Sequence, residues 1–175
     1  MATEKQDLAY ERAAAEFGPA VERLARAYER DAEWRRDLLQ EAHLALWRSF
    51  AHYDGRCSLR TWVYRVAHNA AASHVARRLR AGQEKQVTIE ELVDMPGAAD
   101  PEHEVGERQN LTRLFALIAR LQSPDRQVML LYLEDLNAAE IGDIAGLSPG
   151  AVATRIHRIK ILLKCSFHPS NRHDR

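Results

Sequence analysis

The chain has 175 residues, of which 46% are apolar and 29% charged. That is enough for one ordinary domain or two small ones, each with a buried core. Its 25 Lys and Arg balance 25 Asp and Glu; this excludes a uniformly basic coat protein but not nucleic-acid binding, which depends on local charge.

The two cysteines, Cys57 and Cys165, lie far apart, which argues against a disulfide-dense scaffold. No apolar run reaches the length of a membrane span. The first residues lack the basic-then-apolar order of a signal peptide, so a cytoplasmic protein is expected. Of the 25 basic residues, 21 are Arg. Arginine forks phosphates and guanine edges, although a GC-rich genome would favour the same codons.

Charge is segregated. Residues 1–54 hold 8 basic and 11 acidic groups. Residues 55–80 hold six arginines (Arg56, Arg60, Arg65, Arg77, Arg78 and Arg80) and no acid. Residues 84–107 hold eight acids against Lys85, and residues 144–175 hold six basic groups against Asp174. Two basic blocks on either side of an acidic one suggest two anion-binding surfaces with a connector between them.

In chain order, Phe17, Val21, Leu24 and Tyr28 recur at helical spacing and predict a first helix. Leu39, Ala42, Leu46 and Phe50 predict a second, with Leu39, Ala42 and Leu46 inward and Asp37, Gln40, Glu41, Leu44 and Arg48 outward. An acidic stripe with a leucine in it is a candidate docking face for a protein, though most such stripes are simply solvated. A polar loop, Tyr53 to Ser58, then enters a third helix with Leu59, Val63, Val66 and Ala70 as its stripe, ending near Arg77 and Arg78. Arg65 and Asn69 share one face of it. Basic groups interleaved with Trp62, Tyr64 and His68 suit single-stranded DNA, where charge follows the backbone and a ring meets a base. Taken alone, Trp62 is more simply a core residue.

Residues 81–107 contain Pro96, Gly97, Pro101 and Gly106 with weak apolar periodicity, and are expected to form an acidic flexible linker. The domains expected are therefore 1–80 and 108–168, with a tail at 169–175. In the second, Leu111, Leu114, Phe115, Ile118 and Leu121 form a stripe. Ser123 and Pro124 are expected as N-cap and first residue of a helix running to about Glu134. Asn137 and Glu140 have capping-box spacing ahead of a short helix with Ile141, Ile144 and Ala145 inward. Gly146 permits a left-handed turn, Leu147 fills the corner, and Ser148-Pro149 opens a last helix with core residues Val152, Ile156, Ile159 and Leu163.

Two short helices joined by a tight glycine turn form a helix-turn-helix, and Gly142 lets the pair approach closely. Ala151, Ala153, Thr154, Arg155, His157 and Arg158 remain off the core face, where they suit a major groove. The plain alternative is an ordinary helical hairpin. The sequence contains no Gly-rich phosphate loop, no HExxH and no Gly-x-Ser-x-Gly. Cys165, His168 and His173 only superficially resemble a metal cluster, in a tail expected to fray. The expectation is an all-α protein with no catalytic residue, no cofactor and no metal.

The segments Asp125–Leu136 and Glu140–Arg158 resemble the C-terminal domain of bacterial RNA polymerase sigma factors, most of all the short extracytoplasmic-function class. Asp37-Leu38-Leu39-Gln40-Glu41 before Leu46-Trp47 is similar to the polymerase-docking helix of that family, and residues 53–78 are similar to its minus-ten element reader. Gly142, Ala151 and Ala153 depart from the residues usual there, as do Cys57 and Leu59.

The resemblance implies core RNA polymerase, promoter DNA (duplex and melted) and an anti-sigma regulator as partners. It implies polymerase contacts from Asp37, Gln40, Glu41, Leu44, Trp47 and Arg48. It implies minus-ten contacts from Arg56, Ser58, Leu59, Arg60, Thr61, Trp62, Arg65, His68, Asn69, Arg77 and Arg78. It implies minus-thirty-five contacts from Ser148, Pro149, Gly150, Ala151, Ala153, Thr154, Arg155, His157 and Arg158. The competing expectations are a stand-alone helix-turn-helix regulator and a catalytic all-α protein using His43, His68 or His74.

Overall fold

In a computed structural model of the chain, residues 2–82 and 107–167 are described. Their elements are all α-helical: α1 (Ala2–Tyr28), α2 (Ala32–Ser49), α3 (Leu59–Arg80), α4 (Glu107–Arg120), α5 (Asp125–Leu133), α6 (Ala138–Ala145) and α7 (Pro149–Phe167). Helices α1–α3 form one compact unit, and the helices from Glu107 onward form most of a second. Nearly all of the expected acidic linker, together with His168 and His173, lies outside the described residues.

In the first unit each helix packs on the other two. The core is Val21, Leu24 and Tyr28 of α1, Leu38, Ala42 and Leu46 of α2, and Val63, Tyr64, Ala67, Ala71 and Val75 of α3. The inward register of α2 therefore begins at Leu38, fully buried, and not at the half-buried Leu39. Residues 38, 42 and 46 repeat every four positions and keep one bearing on the helix.

The phase of α3 also differs from expectation. Of Leu59, Val63, Val66 and Ala70 only Val63 is buried. The buried stripe instead includes His68 and His74, polar residues that a search for apolar periodicity passes over. His68 can be interior because its Nδ1 shares a 3.1 Å hydrogen bond with the Tyr28 hydroxyl, which removes most of the cost of burying an imidazole.

Local capping sets the helix starts. Asp31 Oδ1 accepts from the amides of Glu33 (2.9 Å) and Trp34 (3.1 Å). These bonds, led by the Trp34 amide, hold the Asp31 carboxyl below its ordinary value. Ser58 Oγ accepts from the Thr61 amide at 3.0 Å to begin α3.

In the second unit the core is built from Leu117, Ile118, Leu121, Val128, Leu131, Leu136, Ile141, Val152, Ile159 and Leu163. Leu111 and Phe115, expected inward, are 54% and 40% exposed. The expected Ser123 cap is not made either. Pro124 occupies the N-cap position with no side-chain cap bond, and α5 starts at Asp125, so the Ser123 hydroxyl lies one residue too early for the first-turn amides. The turn is instead held by Arg126, 1% exposed. Its guanidinium donates to the carbonyl of Leu121 at 3.0 Å and to that of Ala119, satisfying carbonyls that the end of α4 leaves open.

Candidate nucleic-acid interface

The helix-turn-helix is assembled by a few local devices. Asn137 Oδ1 accepts from the amides of Ala139 (2.9 Å) and Glu140 (3.1 Å), while Glu140 Oε2 accepts from the Asn137 amide at 2.9 Å. This is the reciprocal capping box expected at the start of α6. Gly146 has φ +71°, the left-handed conformation that ends α6 cheaply only at glycine. A Cβ on Gly142 would stand 2.6 Å from the Leu147 carbonyl oxygen, so only glycine lets the turn fold back this tightly. Ser148 Oγ accepts from the Ala151 amide at 3.2 Å and starts α7.

Along α7, Val152 and Ile159 are fully buried and Leu163 nearly so, which fixes the opposite face outward. Ser148, Pro149, Gly150, Ala153, Thr154, His157 and Arg158 are exposed, and Ala151 and Arg155 are half-buried. The Thr154 hydroxyl donates back to the Gly150 carbonyl at 2.9 Å. Arg155 and Arg158 are both held by Asp125 of α5, Arg155 Nη1 at 2.6 Å on Oδ1 and Arg158 Nη2 at 3.3 Å on Oδ2. A 14% exposed carboxylate thus aligns two guanidinium groups one helical turn apart. Nothing in the sequence near Asp125 points to this role, because the pairing spans 30 residues.

In the first unit, Asp37, Gln40 and Arg48 are exposed on α2, and Leu44 is 45% exposed. Trp47 is half-buried and tied to α1: its indole N–H donates to Asp7 Oδ1 at 2.8 Å, and its carbonyl accepts from Gln6 Nε2 at 2.7 Å. Glu41 is turned toward α3, where it accepts from Arg77 and lies 3.4 Å from His74 Nδ1.

The expected DNA-facing residues of α3 separate into three groups. Arg56, Asn69 and Arg77 are exposed, and Leu59, Arg60 and Arg65 half-buried; the Arg60 guanidinium lies 5.8 Å above the Tyr64 ring. Ser58 and Thr61 are occupied locally, their hydroxyls 2.9 Å apart within the cap. Trp62, His68 and Arg78 do structural work. The Trp62 indole donates to Ser49 Oγ at 2.9 Å and its ring leans on Tyr53 at 5.2 Å. His68 is 2% exposed and cannot face DNA as expected, since it shares its stripe with Tyr64, Ala71 and Val75. Arg78 pairs with the buried Glu29, and its guanidinium covers the Trp34 ring at 4.9 Å. Glu29 and Trp34 were not singled out by sequence reasoning, since no motif marks them.

Among the described residues no group of three His, Cys, Asp or Glu side chains could hold a metal ion. No described helix is long and apolar enough to cross a membrane.

Comparison with known proteins matches these two units to two family models. Residues 14–81 match Sigma-70 region 2 and residues 111–163 match Sigma-70, region 4. The chain belongs to the sigma-70 family, in its extracytoplasmic-function (ECF) class. It is 29% identical over 155 residues to the ECF RNA polymerase sigma factor SigG of Mycobacterium tuberculosis H37Rv, covering 77% of this chain and 41% of SigG. The chain thus spans less than half the length of that relative. It is 25% identical over 144 residues to the RNA polymerase sigma factor YlaC of Bacillus subtilis, covering 82% of this chain and 83% of YlaC. In fold it is similar to CnrH, solved in complex with the cytosolic domain of CnrY, with a TM-score of 0.65 and 21% identity over 94% of this chain and 90% of that one.

Proposed function

We propose that this protein directs bacterial core RNA polymerase to promoters and helps to open them, turning over no substrate and needing no cofactor. The observation that carries the reading is α7. Capped by Ser148 and seated by Gly142, it exposes Pro149, Gly150, Ala153, Thr154, His157 and Arg158 along its first half, a face of the kind that reads a major groove. Arg155 and Arg158, set by Asp125, reach phosphates or base edges of the minus-thirty-five element.

Residues Arg56, Arg60, Arg65 and Asn69 of the first unit meet the minus-ten element, with Ser58, Leu59 and Thr61 shaping the loop that admits a flipped base. The contacts such a base gains offset the few kcal/mol of stacking it loses. The face of Asp37, Gln40, Glu41, Leu44 and Arg48 docks on the polymerase, with Trp47 bracing it against α1. Such a factor works in the cytoplasm. An anti-sigma regulator that masks these faces completes the proposal; CnrH, which shares the fold, is solved with the cytosolic domain of a second protein.

The test is reconstituted run-off transcription with purified core enzyme. Promoter-specific transcripts that require this chain support the reading. Tight operator binding without any effect on the polymerase would favour the stand-alone regulator.

A further inference from the structure

Two neighbouring arginines at the end of α3 look alike in sequence and differ in the structure. Arg78 is enclosed: its side chain is 14% exposed, its partner Glu29 is 5% exposed, and its guanidinium lies against the Trp34 ring. Arg77 is half in water, with its side chain 52% exposed and that of its partner Glu41 41% exposed. Removing a charge from an enclosed pair strands the other in the interior, so Arg78 cannot leave. An ion pair that both partners share with water is weakly held and exchanges readily.

The exchangeable pair joins the two faces that the proposed function gives to different partners. Glu41 belongs to the α2 docking face and Arg77 to the basic end of the DNA-facing helix. Behind them stands His74, 3% exposed, with Nδ1 3.4 Å from Glu41 and Nε2 3.9 Å from Glu29. The enclosed Arg78, paired with Glu29 and lying over Trp34 of α2, therefore holds the end of α3 in place while the outer pair opens.

We infer that Arg77 is an exchangeable latch: it pairs with Glu41 in the free protein, and engagement of Glu41 by the polymerase releases its guanidinium to promoter phosphate. Docking and DNA binding then favour each other by the same factor, as any coupling between two sites requires. A half-exposed pair limits that factor to about fivefold. The inference rests on the proposed docking role of α2.

The test is the affinity of the full chain for purified core RNA polymerase, by titration of a fluorescent label at low and high salt. R77Q, which leaves Glu41 with only its 3.4 Å contact to His74, binds core about two- to fivefold more tightly than wild type at low salt. The gain fades at high salt, where exposed charges are screened. R77K keeps the charge and restores the weaker, wild-type affinity. In an E41Q background, R77Q produces no gain. If R77Q binds core equally or more weakly, or gains as much when Glu41 is absent, the latch is overturned and the polymerase-binding reading stands. If wild type itself does not bind core, the functional reading falls, and the latch with it.

Discussion

Gly142 shows how much a single position constrains. The missing Cβ would sit 2.6 Å from a backbone oxygen, which cannot swing aside as a side chain could. Gly142→Ala should therefore destabilise the second unit by about 1–3 kcal/mol, read by urea denaturation; unchanged stability would mean that the turn opens freely. Asp31 supplies a pH test. Because its carboxyl is held below the ordinary 3.8 by the amides of Trp34 and Glu33, the cap contributes fully above that value. The contribution is lost as pH falls through the lowered one. Amide exchange in the first turn of α2 should accelerate over that interval in wild type and not in Asp31→Asn; identical profiles would remove Asp31 as the cap. At the proposed DNA face, Arg155→Ala should weaken duplex binding by about 1–3 kcal/mol, measured by fluorescence anisotropy, and equal binding would take Arg155 out of the readout.

At the scale of helices, legibility followed the range of the interactions. The helix-turn-helix could be read because its determinants are local: the Asn137–Glu140 box, Gly146 and the Ser148 cap each act within a few residues. The phase of α3 could not, because its buried face carries His68 and His74, whose partners Tyr28, Glu29 and Glu41 lie 33 or more residues away in the chain. The off-by-one register of α2 has a related cause. Leu38 and Leu39 are equally apolar, and only packing against α1 and α3 selects between them.

The same long-range pairing divides Arg77 from Arg78. Arg78→Gln should cost the first unit about 3 kcal/mol by leaving Glu29 buried and alone. Arg77→Gln should stay within about 0.5 kcal/mol. Thermal denaturation of the two variants checks the contrast, and equal losses would refute it. Asn69→Ala, on an exposed position of α3, should leave polymerase affinity unchanged and lower promoter opening, followed by permanganate reactivity of unpaired thymines; lost polymerase affinity would place that face elsewhere.

For the whole molecule, the account is a division of labour between two helical units. Each presents charge on a helix whose opposite side is fixed by a small apolar core. The charge blocks anticipated this division, since a net charge of zero hides strongly basic stretches in both units. What composition could not supply was which of those basic groups are spent inside the fold. Arg78 is, and Arg56 is not.

Promoter-directed initiation is tested by transcription reconstituted from purified core RNA polymerase, this chain and genomic DNA, with start sites mapped. Transcripts that begin downstream of a shared pair of upstream elements should appear only when the chain is present, and should be fewer with Asn69→Ala or Arg155→Ala. Transcription indifferent to the chain, alongside tight binding of the chain alone to duplex sites, would contradict it.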